Sequence, residues 1–117
     1  PLTDCKRFMH LDVSFNRLKE ISLLPLAACT DLKALHLYQN KLTSIDLTPL
    51  NKCKKLRNIT LEKNEFDQVD ISALFACPRL VKIGFDDETT LISVKKNKEK
   101  TTLPIGFKPI RSRIQWI

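Results

Sequence analysis

Apolar side chains along this chain return at one interval. Phe8, Leu32, Leu56 and Leu80 stand 24 residues apart, as do Leu11, Leu35, Ile59 and Ile83, and Val13, Leu37, Leu61 and Phe85. Shorter columns share the interval: Leu18, Leu42 and Phe66; Ile21, Ile45 and Val69; Leu23, Leu47 and Ile71; Leu26, Leu50 and Leu74. A fixed period of this length marks a repeat architecture, in which no copy can bury its apolar face alone and stacking of neighbours supplies the core. Within Ala34 to Tyr38, Leu35 and Leu37 alternate with Ala34, His36 and Tyr38, the two-residue rhythm of a strand. The pattern predicts one short strand per copy, paired in parallel with the next at about 4.8 Å. Each buried Leu, Ile or Val is worth roughly 1.5–3 kcal/mol, so the columns carry most of the stability.

One polar column belongs to this core. Asn16, Asn40 and Asn64 follow the strands, where the chain must bend and leave backbone groups unpaired. An Asn amide has two donors and an acceptor oxygen, so it can bridge its own copy and the next. Further on, Pro25 and Pro49 suit the opening of a short or helical turn, with Ala73 in that place in the following copy.

The spelling L-x-x-L-x-L-x-x-N, as in Leu32, Leu35, Leu37 and Asn40, resembles that of the leucine-rich repeat family over roughly residues 1–88. The resemblance implies an α/β solenoid: a right-handed curved coil with a parallel sheet on its concave side and short or helical turns on its convex side. The segment Ile45-Asp46-Leu47-Thr48-Pro49-Leu50 up to Cys53 is similar to intracellular microbial repeats. Residues 1–5 match the Pro25–Cys29 segment, so the chain is expected to open in mid-repeat, as the C-terminal part of a longer array. After Phe85 the pattern fails. Residues 89–117 form a second segment, expected to be an irregular C-terminal cap or a partner-binding tail.

Charge separates the two parts. Residues 89–117 hold seven Lys or Arg against Glu99, a net +6 of the chain's +7, while the repeats are nearly neutral. High overall basicity is therefore no argument for nucleic-acid binding by the repeats. No apolar run approaches the roughly 18 residues of a membrane helix.

Cys5, Cys29, Cys53 and Cys77 fall at one phase of the repeat. That spacing fits neither a zinc knuckle nor a C-x-x-C pair. A column of small buried side chains with free thiols is the expectation, and with it a reducing, cytoplasmic setting; the alternative is disulfides, which an even count in a short secreted chain would suggest. No motif for a phosphate loop, a dinucleotide or nucleophilic catalysis occurs, so neither enzyme activity nor a cofactor is implied. His10, Asp12 and His36 lie near one another on neighbouring strands, but no further ligand accompanies them to make a metal site.

What remains is the outward face of the strands. His36, Tyr38, Arg57, Thr60, Glu62 and Lys82 are its candidate contacts, with Tyr38 and Phe15 its aromatic cluster. Aromatic side chains anchor protein interfaces. Without a basic stripe or a row of stacked rings, the face makes a poor nucleic-acid platform. The expectation is a non-enzymatic module that binds another protein. The alternatives are anion binding, to nucleic acid or an acidic membrane surface, through the basic tail, and a purely structural segment of a larger protein.

Overall fold

A computed structural model describes residues 9–100 and 102–117. The readings placed on residues 1–8, including Cys5, Phe8 and the mid-repeat opening, lie outside the described residues. Strands β1 (His10–Asp12), β2 (Ala34–His36), β3 (Asn58–Thr60) and β5 (Lys82–Gly84) form one parallel sheet in that order. Its register runs Leu11, Leu35, Ile59, Ile83 across the inward column. Each strand is a single copy's contribution, so the 24-residue interval is the sheet register itself. Leu32, Leu35, Leu37, Leu56, Ile59 and Leu61 are fully buried within it.

Opposite the sheet, each copy makes a 3₁₀ turn: Leu24–Ala28, Thr48–Lys52 and Ser72–Ala76. The turns are launched by short side chains. Asp46 accepts from the Thr48 amide, Asp70 from that of Ser72, and Ser22 from that of Leu24. The hydroxyl of Thr48 and then its amide hold the Asp46 carboxyl below its ordinary range. The residue that closes each turn is the cysteine. The Cys53 and Cys77 amides bond Leu50 and Leu74 carbonyls. Their thiols donate to the preceding copy, Cys53 to the Leu26 carbonyl at 3.6 Å and Cys77 to that of Leu50 at 3.4 Å. The column is thus small, apolar and weakly donating at once. Cys53 and Cys77 are free thiols, whereas Cys29 is disulfide-bonded, which corrects the expectation of free thiols throughout.

The asparagines bridge copies in the direction opposite to that expected. The Asn40 amide donates to Leu37 of its own copy and to Val13 of the preceding one, and its oxygen accepts from the Leu18 amide. Asn64 does the same with Leu61, Leu37 and Leu42. Asn16 is exposed and, among the described residues, bonds only Val13 and Ser14 of its own turn. Immediately before each Asn, the turn forces a left-handed residue: Phe15, Gln39 and Lys63 have φ of 59°, 55° and 57°.

The sequence pattern missed a second parallel sheet. β4 (Gln68–Asp70), β6 (Thr90–Ser93) and β7 (Ile114–Trp116) pair in that order, with Val69, Leu91 and Ile114 in register. Turns alone had been expected on that side. The C-terminal segment supplies two of these strands and lies over the end of the core. Phe107 is fully buried, Phe75 stacks on it at 4.3 Å, and Trp116 lies 5.9 Å from Phe75. Gly106 donates to the Leu80 carbonyl, and a Cβ there would stand 3.0 Å from the Val81 carbonyl carbon, so a side chain would have to push the backbone leading into β5 aside by a few tenths of an ångström. Glu88 holds the position of the missing fourth Asn, and the turn there is held instead by Arg113. Arg113 donates to the carbonyls of Asp86 at 2.7 Å and Thr89 at 2.9 Å. The Asp86 carboxylate takes the Lys63 amide, which in earlier copies meets a backbone carbonyl.

Three outcomes are expected. Asn40→Leu orphans buried backbone groups in two copies and should lower stability by about 2–3 kcal/mol, with Asn16→Leu nearly neutral, in urea melts. Gln39→Gly relieves the left-handed strain and should raise stability by about 0.5–1 kcal/mol. Burial, seconded by the neighbouring Cys53, pushes the Cys77 thiol from an ordinary 9.0 up to about 12. Between those values the unfolded chain has lost a proton that the native chain keeps. Stability should therefore fall with rising pH by roughly 1.4 kcal/mol per unit from this group. Cys77→Ala should lessen the loss seen between about pH 8 and about pH 10.5.

Candidate functional site

The register of the four-stranded sheet stacks like positions on its outer face. His10, Ala34, Asn58 and Lys82 form one row, and Asp12, His36, Thr60 and Gly84 the next. Beyond the strands, Ser14, Tyr38 and Glu62 continue at equal phase. A cavity of about 290 Å³ opens here, and five of the six expected contact residues line it: His36, Tyr38, Thr60, Glu62 and Lys82. Asp12, Ser14 and Phe15 complete the wall. Arg57 does not join them. It lines a separate groove with Lys33 and Arg79.

Each wall residue is set by a backbone or side-chain partner. The Ser14 hydroxyl accepts from the Tyr38 amide at 3.0 Å. The Asp12 carboxylate accepts from the Ser14 amide at 2.9 Å. That amide, then the Ser14 hydroxyl and more weakly His36 opposite, hold the Asp12 carboxyl below its ordinary range. His36 Nδ1 bonds the Thr60 hydroxyl at 2.9 Å. Thr60 lines the cavity with only 8% of its surface exposed, so its part there is chiefly the hydrogen bond that orients His36. The Phe15 ring, 70% exposed, leans on Tyr38 at 5.4 Å, and the Lys63 ammonium lies 5.7 Å from the Tyr38 ring centre.

Glu62 is the anomaly. Its Oε1 is buried and has no hydrogen-bond partner among the described residues. A buried acceptor without a donor is costly, and native structures seldom tolerate one without a reason. The carboxylate lies over Gly84, where any Cβ would overlap it. Gly84 is therefore the space that lets Glu62 fold against the sheet. The sequence showed Glu62 and Gly84 only as neighbouring outward positions. The overlap could be read from it only by placing the two one strand apart.

The cavity has acceptors at Asp12 and Glu62, a cation at Lys82, an imidazole and two rings. Such a set can hold a polar side chain against an aromatic wall. Among the described residues, no three His, Cys, Asp or Glu side chains come together to hold a metal, and His10 does not line the cavity. No helix among the described residues is long and apolar enough to cross a membrane. A family model described as leucine rich repeat matches residues 6–66, and the repeat geometry continues past that match through β5. No curated protein matches the chain.

Proposed function

Because the chain belongs to the leucine-rich repeat family, whose repeats are generally non-enzymatic protein-interaction modules, we propose that it is itself a binding module without catalysis that holds another protein on the four-stranded sheet. The proposal includes a curved coil with this sheet on the concave side. Its contact set is His36, Tyr38, Glu62 and Lys82, with Thr60 as support. One observation carries the reading: the Oε1 of Glu62 is buried over Gly84 with no hydrogen-bond partner among the described residues, and Glu62 lines the cavity beside Tyr38 and Phe15. A donor from the partner, an arginine or lysine side chain laid along the rings, would satisfy it and add a cation–π contact. Rigid stacking of the copies sets these groups before the partner arrives, so little ordering is lost on binding. The cytoplasmic setting is part of the proposal and rests on the free thiols Cys53 and Cys77, against which the disulfide at Cys29 counts.

The test is a displayed library of random peptides selected on the whole chain. Basic, arginine- or lysine-bearing sequences should be enriched, and their affinity should drop about tenfold or more for Tyr38→Ala and for Glu62→Gln. Gly84→Ala should act alike while leaving the melting temperature nearly unchanged, because its Cβ meets only the flexible end of Glu62. Basic peptides that bind all three variants as well as the wild type would defeat the proposal.

A further inference from the structure

A second surface lies where the repeats meet the C-terminal segment. Two cavities, of about 590 and 710 Å³, share one wall made by Leu103, Pro104 and Ile105. On the repeat side the lining is Lys33, Lys55, Arg57 and Arg79. On the C-terminal side it is Lys98, Lys100, Lys108 and Arg111. Among the described residues, Glu99 is the one acid that lines either cavity.

The repeat places the first set. Lys33 and Arg57 occupy one phase of successive copies, and the Arg57 amide donates to the Lys33 carbonyl at 2.8 Å, so they sit one strand apart. Lys55 and Arg79 occupy the same phase two residues earlier. Lys55 is paired with Asp31 at 2.8 Å, but Lys33, Arg57 and Arg79 make no ion pair among the described residues. Like charges gathered along one groove repel, and an anion between them relieves that repulsion. On the other side Arg111 is fixed by the Lys98 carbonyl and lies 5.8 Å from the Trp116 ring centre. Between the two sets the shared wall is apolar and open: Ile105 is 68% exposed and Val81, beside it in the first cavity, 49%.

We propose that this groove docks an acidic peptide segment of a partner protein, its carboxylates set against the two rows of cations and an aliphatic or aromatic side chain against Ile105 and Val81. Charge complementarity names the sign of the occupant, and the aliphatic wall names its class. A nucleic acid would find no exposed ring to stack on, since Phe107 is fully buried and Trp116 is half-buried beside Arg111. The surface is distinct from the Glu62 cavity and of opposite charge preference, so either can fail without the other.

The experiment uses fluorescence anisotropy with a labelled peptide of repeating Glu-Asp-Leu units and the whole chain. Binding is expected, with a loss of about tenfold or more in Arg57→Glu/Arg79→Glu and a comparable loss in Ile105→Ser. Tyr38→Ala should bind as the wild type does. A peptide with serine in place of leucine should bind about tenfold more weakly. Arg57, Arg79 and Ile105 are exposed and Tyr38 is partly buried, and melting curves should confirm unchanged folding. The proposal is overturned if neither variant weakens binding, if the serine peptide binds equally well, or if a single-stranded oligonucleotide or phosphatidylserine vesicles bind more tightly than the peptide.

Discussion

A strand of three residues that turns sharply into a loop leaves carbonyls and amides pointing into the space between copies. Water cannot follow them, because the leucine columns fill the interior on one side and the next copy lies on the other. The Asn40 and Asn64 side chains resolve this by closing three backbone groups each across two copies. Everything else depends on that closure. It fixes the register of β1, β2 and β3, to which β5 adds by backbone pairing, the register aligns the outward rows, and the rows bring His36, Tyr38 and Glu62 to one cavity. The cost is a left-handed residue before each Asn, met by Phe15, Gln39 and Lys63 without a glycine among them. At Phe15 the same twist lifts the ring onto Tyr38, so the turn geometry that serves the core also builds the aromatic wall.

The way the ladder ends explains the C-terminal segment better than its composition does. A fourth Asn would bond the turn after β5, but Glu88 stands there and carries no donor. Arg113 arrives from the far end of the chain, and its guanidinium reaches the same kind of carbonyl. The Thr89 hydroxyl reaches the Phe66 carbonyl at 3.4 Å, where the preceding copies use a backbone amide. Ser93 and Asn97 form a small buried polar group with Ser72. The basic charge of this segment is therefore not one undivided tail: Arg113 is structural and Arg111 braces Trp116. Lys98, Lys100 and Lys108 are left to face the groove.

What could be read from the sequence divides along the same line. The rows across β1, β2, β3 and β5 were legible because like residues recur at a constant interval. The sheet β4, β6, β7 was not, because Val69, Leu91 and Ile114 are separated by 22 and 23 residues and share no spelling. Periodicity finds copies and passes over strands that merely meet in space. The outward residues were legible as a face but not as individuals. Thr60 shares its row with Asp12 and His36, yet it is buried under its neighbours, and only the hydrogen bond to His36 shows its part. Arg57 shares the strand's outer region, yet it turns toward the groove at the edge.

The cysteine column shows how one phase can serve differently in successive copies. At Cys53 and Cys77 the thiol completes a carbonyl of the preceding turn, which a methyl group of similar size could not do. At Cys29 the sulfur is engaged in a disulfide instead. The recurrence of a residue type therefore reports a shared volume and a shared place in the core. It does not report a shared chemistry. The same reasoning governs the outer face, where Ala34, Asn58 and Lys82 hold one row with nothing in common but register. In a repeat fold the interior is specified collectively, while each outward side chain is free to differ. Function in such a chain is therefore argued from particular breaks in the pattern. Here these are a carboxylate with no donor, a glycine that makes room for it, and a groove where cations far outnumber acids.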